Sequence, residues 1–145
     1  MKKENLPDFP DNGFVIVASM FEAFYKAAIE LAESIKLFYP EAHITVFTSH
    51  EEWIKPTDWN HADWIVHWEV PNEIRAKLWA LSQTPYKGKT VYFDADMVCE
   101  SEEIENIFEI DENGILKVSA QCCVTGKNRD IILADRTGHM WQNLT

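Results

Sequence analysis

The residues best placed to do chemistry in this chain of 145 residues are two carboxylates one residue apart, Asp94 and Asp96, which follow the run Thr90-Val91-Tyr92-Phe93. That run is β-branched or aromatic throughout, the composition of a buried strand, so the carboxylates stand where the strand would reach the edge of its sheet and meet solvent. Side chains alternate along a strand. Extended geometry therefore puts Asp94 and Asp96 on one face and turns Ala95 away. Two hard oxygen donors so placed can hold Mg²⁺ or Mn²⁺, ions that take carboxylates and complete their shell with water and substrate phosphates. The spacing alone is weak evidence, because nine Asp in 145 residues give about half of one Asp-x-Asp by chance. A lone pair of this kind is more often a strand end whose carboxylates cap the next turn. The elements around it must carry the argument.

Composition narrows the classes of partner. The chain carries 13 Lys plus Arg against 24 Asp plus Glu, a net charge of −11, with no basic run, which argues against a nucleic-acid backbone as partner. An acidic protein can still bind a nucleotide diphosphate if a divalent cation and a few placed Lys or Arg offset the phosphates. No apolar run has the length of a membrane span, and Met1-Lys2-Lys3-Glu4-Asn5-Leu6-Pro7 leads into no apolar signal segment, so a cytoplasmic protein is expected. Cys99, Cys122 and Cys123 are odd in number, with two adjacent; this is neither a disulfide framework nor a zinc spacing, and buried free thiols are expected. A hydrophobic fraction of 46% suffices for one core, and six Trp and eight Phe could supply an interface between copies as readily as a core.

The elements that must position the pair follow from periodicity. Residues 1–13 form an extended lead-in marked by Pro7, Pro10 and Gly13. Phe14 to Ala18 is a continuous apolar run, the pattern of a strand buried on both faces. Phe21, Phe24, Tyr25, Ala28, Leu31, Ala32, Ile35 and Phe38 then recur at three and four, an amphipathic helix that Pro40 stops. His43 to Thr48 is a second strand, completing a βαβ unit, and Trp64 to Trp68 a third, in which His67 is read as a structural histidine. Residues 49–63 read as a loop or short helix. Pro71 and Asn72 begin a second helix with Ile74, Leu78 and Leu81 on its inner face, and the strand bearing Asp94 follows. Ser101 caps a further helix with an acidic first turn, and residues 115–124 make another strand. Beyond Gly126 the pattern weakens except at Ile131-Ile132-Leu133. Residues 14–125 are thus one α/β domain with a mainly parallel sheet, and 126–145 a C-terminal segment of undetermined structure.

In such a sheet ligands bind at the carboxyl ends of the strands. Two ends stand out, Ala18-Ser19 and Asp94 to Asp96. Neither bears a phosphate-binding glycine loop: no G-x-G-x-x-G follows the first strand, and Gly126-Lys127 lacks the upstream glycine of a P-loop. A fold that binds phosphates without such a cradle must use a cation.

The stretch from Arg75 to Phe108 resembles the GT-A glycosyltransferases of the glycogenin type (family 8). The resemblance is carried in order by Lys77-Leu78, Trp79, Tyr86, Val91-Tyr92-Phe93, Asp94-Ala95-Asp96 and Ile107-Phe108. It spans roughly residues 14–120 and implies a Rossmann-like three-layer fold, here truncated or minimal, because enzymes of this type are about a hundred residues longer and carry their acceptor site and usually a histidine metal ligand in the added part. His139 does not align with that ligand. The resemblance implies that Asp94 and Asp96 bind Mn²⁺ (or Mg²⁺) bridging the diphosphate of a nucleoside-diphosphate sugar, a UDP-sugar above all. It implies that Lys77 and Arg75 approach the sugar or phosphates, and that Val17, Ala18, Ser19, Tyr25 and Ala95 line the nucleotide-sugar site. Asp94, Asp96 and Lys77 would then carry the transfer, with retained anomeric configuration, to an unspecified acceptor.

Two other readings remain open. Asp94-Ala95-Asp96-Met97-Val98 also fits the Asp-x-Asp-x-Val of haloacid-dehalogenase phosphatases, with Asp94 as nucleophile and Asp96 as acid/base. That motif belongs on the first strand of its fold, whereas most of this sheet precedes it. A module that binds a nucleotide sugar without catalysis is the third reading. A pyrophosphorylase would need a Gly-rich, Arg-bearing loop where this chain has Ala18-Ser19-Met20-Phe21.

Overall fold

The computed structural model describes residues 8–73, 75–108, 124–125, 131–135 and 140–143, with the backbone alone at 125, 135 and 140–143. The continuous apolar run after Gly13 forms strand β1 (Gly13–Ala18), and the second and fourth apolar runs form β2 (Ile44–Thr48) and β4 (Lys89–Asp94). With β3 (Trp64–Val66) these four strands are parallel neighbours in the order β3-β2-β1-β4. Two further strands, β7 (Ile131–Asp135) and β8 (Met140–Asn143), add antiparallel on the far side of β4, making a mixed sheet of six described strands. Short strands β5 (Val98–Cys99) and β6 (Val124–Thr125) pair separately.

Helix α1 (Glu22–Phe38) covers one face of the sheet. Its inward stripe of Tyr25, Ala28, Ile29, Leu31, Ala32 and Ile35 packs with Phe14, Ile16, Ile44, Val46, Val91 and Phe93. Each fully buried Leu or Ile there contributes roughly 1.5–3 kcal/mol. Glu22 in the first turn and Lys36 in the last complement the helix dipole, and the chain leaves through Tyr39, whose N–H donates to Ile35 O at 2.7 Å, just before Pro40. Helix α2 (Ala76–Ser82) covers the opposite face, where Ala80 and Leu81 meet Val15, Phe47, Val66, Tyr86, Tyr92 and Ile132. Alternate residues of β1 thus feed two cores: Phe14, Ile16 and Ala18 face α1, and Val15 faces α2. Helix, sheet and helix make three layers. Crossovers of one hand require this arrangement when one runs from β1 to β2 and the other returns from β3 to β4.

Several expectations change. Phe21 and Phe24 are 58% and 42% exposed, so the inward stripe of α1 begins at Tyr25. The second helix starts at Ala76 instead of Pro71, because Asn72 is occupied as a hydrogen-bond acceptor for a neighbouring loop. Its inner face is Ala76, Ala80 and Leu81, with Leu78 exposed; Ile74 lies outside the described residues. The third strand stops at Val66, short of His67 and Trp68. Residues 49–63 hold two single-turn 3₁₀ helices, Glu51–Trp53 and Pro56–Asn60. The acidic segment after Ser101 is also a 3₁₀ turn, Glu102–Asn106, and Ser101 caps it by accepting from Glu103 N at 3.2 Å. Residues 131–135, in the segment that the sequence left without an assigned structure, do not stand apart from the sheet, since β7 pairs with β4 from Lys89↔Asp135 to Phe93↔Ile131. Nor is the lead-in wholly outside the fold: Phe9 packs edge-on against His43 and Tyr86, with ring centroids 5.0 and 5.9 Å away. The expected strand at 115–124, apart from Val124, and Cys122, Cys123, Gly126-Lys127 and His139 lie outside the described residues. Cys99 is a buried free thiol whose pKa burial pushes up. No helix among the described residues is long and apolar enough to cross a membrane.

Candidate functional site

The connection leaving β1 runs to β2 on one side, and the connection that returns from β3 enters β4 on the other, so the carboxyl ends of β1 and β4 flank the point where strand order reverses. A crevice forms at such a point because the two flanking connections diverge to opposite faces. Here Val17 and Asp94 are direct cross-strand partners at the end of the β1–β4 ladder. Beyond them opens a cavity of about 250 Å³, walled by Val17, Ser19, Met20 and Phe24 on one side and Tyr92, Asp94, Ala95 and Asp96 on the other, with Lys77 of α2 reaching its rim. Of the residues expected at the site from sequence, Val17, Ser19, Lys77, Asp94, Ala95 and Asp96 are brought together.

Three are not. Ala18 is fully buried on the α1 face, as strand alternation requires once Val17 and Ser19 point to the cavity. Arg75 is exposed at the start of α2 and does not line the cavity. Tyr25 is 2% exposed and turned into a separate, smaller hollow of about 210 Å³ with Trp53, Lys55 and Asp58. Its hydroxyl donates to Asp58 Oδ2 at 2.6 Å, and burial followed by that carboxylate raises the phenol's pKa strongly. The aromatic ring of α1 that does line the cavity is the adjacent Phe24, one residue and about 100° away on the helix.

The carboxylate pair also differs in geometry from the extended expectation. β4 ends at Asp94, and Ala95 and Asp96 form a turn, with Asp94 half-buried, Ala95 buried and Asp96 exposed. The turn, not a shared strand face, brings both carboxylates to one cavity. Tyr92 Oη donates to Asp94 Oδ1 at 2.6 Å. Tyr92 is only 4% exposed, and burial, then the charge of Asp94, its hydrogen bond and the charge of Asp96, raise its pKa far above the ordinary phenol range. In the Tyr92–Asp94 pair the phenol is the donor.

Loops from three strands meet at the cavity's other wall. Met20 adopts a left-handed backbone, φ 78°, a conformation costly for any side chain but glycine. Its N–H donates to Asn72 Oδ1 at 2.8 Å and to Ser49 Oγ at 3.3 Å, and Ser49 Oγ donates to the same Asn72 oxygen at 3.1 Å. Ser19 Oγ donates to Glu73 O at 2.9 Å. The segment leading into α2, and so Lys77, is thus fastened to the end of β1. The same segment holds a second left-handed residue, Glu69, φ 62°. Sequence reasoning passed over Met20, Phe24, Ser49 and Asn72. The Asn72 role had a signal, an Asn in a loop after a buried strand, but its partner could not be read.

Among the described residues no set of three or more His, Cys, Asp or Glu side chains is gathered to hold a metal ion. A closed all-protein shell such as structural zinc demands is therefore not provided by them. Two carboxylates at an open cavity do suit Mg²⁺ or Mn²⁺, which keep several waters and bind through one or two carboxylates plus a ligand's phosphates. Compared with known proteins, the sequence matches no family model and no curated protein.

Proposed function

We propose that the chain binds a nucleoside-diphosphate sugar at the β1–β4 crevice, with Mn²⁺ or Mg²⁺ on Asp94 and Asp96, in a GT-A glycosyltransferase fold that passes the sugar to an acceptor. The observation that carries the reading is the convergence of Asp94, Asp96 and Lys77 on one cavity at the reversal of strand order, with no glycine cradle for phosphate. Bound there, a divalent cation supplies positive charge to a diphosphate leaving group as its bond to the sugar's C1 breaks. The Lys77 ammonium, which lines the same cavity, would add to that stabilisation, in a crevice where fixed charges act more strongly than in water. The Phe24 ring offers an apolar face for a nucleobase, and Ser19 and Val17 line the same cavity.

At about 250 Å³ the cavity falls below the roughly 300–1,000 Å³ of pockets that enclose a drug-sized ligand, so a nucleotide sugar would lie partly outside it. An acceptor approaching the sugar from that open side suits a transfer reaction. A phosphatase reading is less well supported: Asp94 would have to attack as a nucleophile while Tyr92 holds one of its oxygens at 2.6 Å.

UDP or a UDP-sugar with MnCl₂ should raise the melting temperature by several degrees, since a ligand at a hundred times its Kd adds about 2.7 kcal/mol. Asp96→Ala should abolish that shift while leaving the melting temperature of the unliganded protein near its starting value, because Asp96 is exposed. No metal-dependent shift with any common nucleotide sugar would overturn the reading. Trapping beryllofluoride on Asp94 would replace it with the phosphatase.

A further inference from the structure

We propose that Tyr92 is a positioning residue that makes the Asp94/Asp96 site select a small octahedral cation, Mg²⁺ or Mn²⁺, over Ca²⁺. The inference rests on the metal-diphosphate reading above and adds to it the means of selection.

Tyr92 and Asp94 are two positions apart on β4 and so share one face of the strand, which lets the phenol reach along the strand to Asp94 Oδ1 at 2.6 Å. The ring cannot swing away from this bond. It is 4% exposed and packed in the core beneath α2 with Val15, Leu81 and Ile132. A half-buried carboxylate at the end of a strand would otherwise rotate about its own side-chain bonds; the fixed donor removes that freedom before any ion arrives. The donated proton also takes up a lone pair of Oδ1, lowers that oxygen's donor strength and so makes the two oxygens of Asp94 unequal as metal ligands. Oδ2 becomes the stronger ligand, and the carboxylate binds through one oxygen.

Single-oxygen coordination discriminates between cations. Mg²⁺ demands a near-ideal octahedron at roughly 2.0–2.1 Å, with one or two carboxylates and retained waters, whereas Ca²⁺ takes about 6–8 oxygens at roughly 2.3–2.6 Å and often grips a carboxylate by both. Hydrogen-bond partners of metal ligands are typically worth about 10–100-fold in affinity, so the effect is measurable. A Tyr92 that merely filled the core would change stability and leave the order of cations unmoved.

The experiment compares MnCl₂ and CaCl₂ binding by isothermal titration calorimetry, with Mn²⁺ also followed by its paramagnetic resonance signal, for the full chain, Asp96→Ala and Tyr92→Phe. Tyr92→Phe keeps the ring and removes the donor. Mn²⁺ affinity should fall about 10-fold while Ca²⁺ affinity holds or rises, so that the preference for Mn²⁺ drops at least 10-fold. 3-Fluorotyrosine at position 92 keeps the donor and should keep the preference. That comparison holds even if Tyr92→Phe does not fold. Binding of Mn²⁺ that Asp96→Ala abolishes, with an unchanged cation preference in Tyr92→Phe, or a preference lost in the fluorotyrosine protein, would overturn this inference and leave the proposed function standing. A full chain that binds no Mn²⁺ at these carboxylates would overturn both.

Discussion

The two ends of the same parallel sheet hold similar polar side chains and use them in opposite ways. At the amino end, Tyr86 is fully buried and its hydroxyl lies 2.8 Å from His43 Nδ1 and 3.0 Å from Thr45 Oγ1, while Lys36 pairs with Asp63 at 2.8 Å and Asp63 accepts from Ile44 N at 2.9 Å. The Tyr86 ring lies so close over Gly13 that a Cβ there would stand 2.1–2.5 Å from it. Every group named is turned toward another part of the chain. At the carboxyl end, the Tyr92 hydroxyl donates a hydrogen bond to a carboxylate, but that carboxylate lines an open cavity with Asp96 and Lys77. What separates the two ends is the room left beside the polar groups and the backbone strain accepted at Met20 to keep it. Substitutions at the amino end should therefore move stability and spare ligand binding, and those at the carboxyl end should do the reverse.

The largest test of that contrast is Gly13→Ala. Its new methyl meets the face of a buried ring, not the far end of a flexible chain, so the cost should reach or exceed the usual 1–3 kcal/mol of overpacking, roughly, and lower the denaturation midpoint accordingly. A protein of unchanged stability would mean that the amino end is not closed by packing. Next comes Tyr86→Phe, which leaves buried Thr45 and half-buried His43 short of a partner. A loss of about 1–3 kcal/mol is expected, with the proposed metal-dependent nucleotide binding unaltered once the protein is folded.

His43 sharpens the comparison through pH. Burial, opposed in part by the charge of Asp63, lowers its pKa from the ordinary 6.5. Below 6.5 the unfolded chain then binds a proton that the folded chain refuses, so stability should fall as pH drops from 6.5 toward the lowered value and level off beneath it. Denaturant midpoints measured across that range should slope more steeply for the natural protein than for His43→Gln. Equal slopes would remove His43 from the account.

The smallest effect should have the opposite sign. Met20→Gly relieves the left-handed strain at φ 78° and should stabilise by roughly 0.5–1 kcal/mol, while loosening the wall of the cavity and weakening the proposed nucleotide binding. Stabilisation with no loss of binding would show that the strain serves no purpose at the site.

Much of this was legible in the sequence, for particular reasons. Continuous apolar runs have one economical solution in a parallel sheet covered on both sides, so β1, β2 and β4 could be placed, and with them Val17, Ser19 and the Asp pair. Strand alternation separates Ser19 from Ala18, and applied at β1 it would have removed Ala18 from the site, whereas the turn after Asp94 breaks the alternation and leaves Ala95 at the cavity. Tyr25 and Phe24 could not be told apart in the same way. Both fit a period near 3.6, and the rotation of α1 is set by which of them finds a partner, here Asp58 for Tyr25. The late start of α2 was hidden because Asn72 makes its bonds to Met20 and Ser49, far away in the chain, and no local pattern announces that. β7 was visible only as Ile131-Ile132-Leu133, since an antiparallel strand arriving from a distant segment carries no signature of its partner.

The stitch at the base of β4 has a consequence for when the protein acquires its cavity. Gly88 N donates to Asp11 O at 2.7 Å, and Lys89 N to the side chain of Asn12 at 2.8 Å, 77 residues apart in the chain. β1, α1 and β2 are close in sequence and can come together early, whereas β4 joins β1 only after that long loop has closed. During synthesis, then, the wall bearing Ser19 stands bare for the time the ribosome needs to reach Asp96. A chain halted at residue 88 would hold half of a crevice and neither Asp94 nor Asp96.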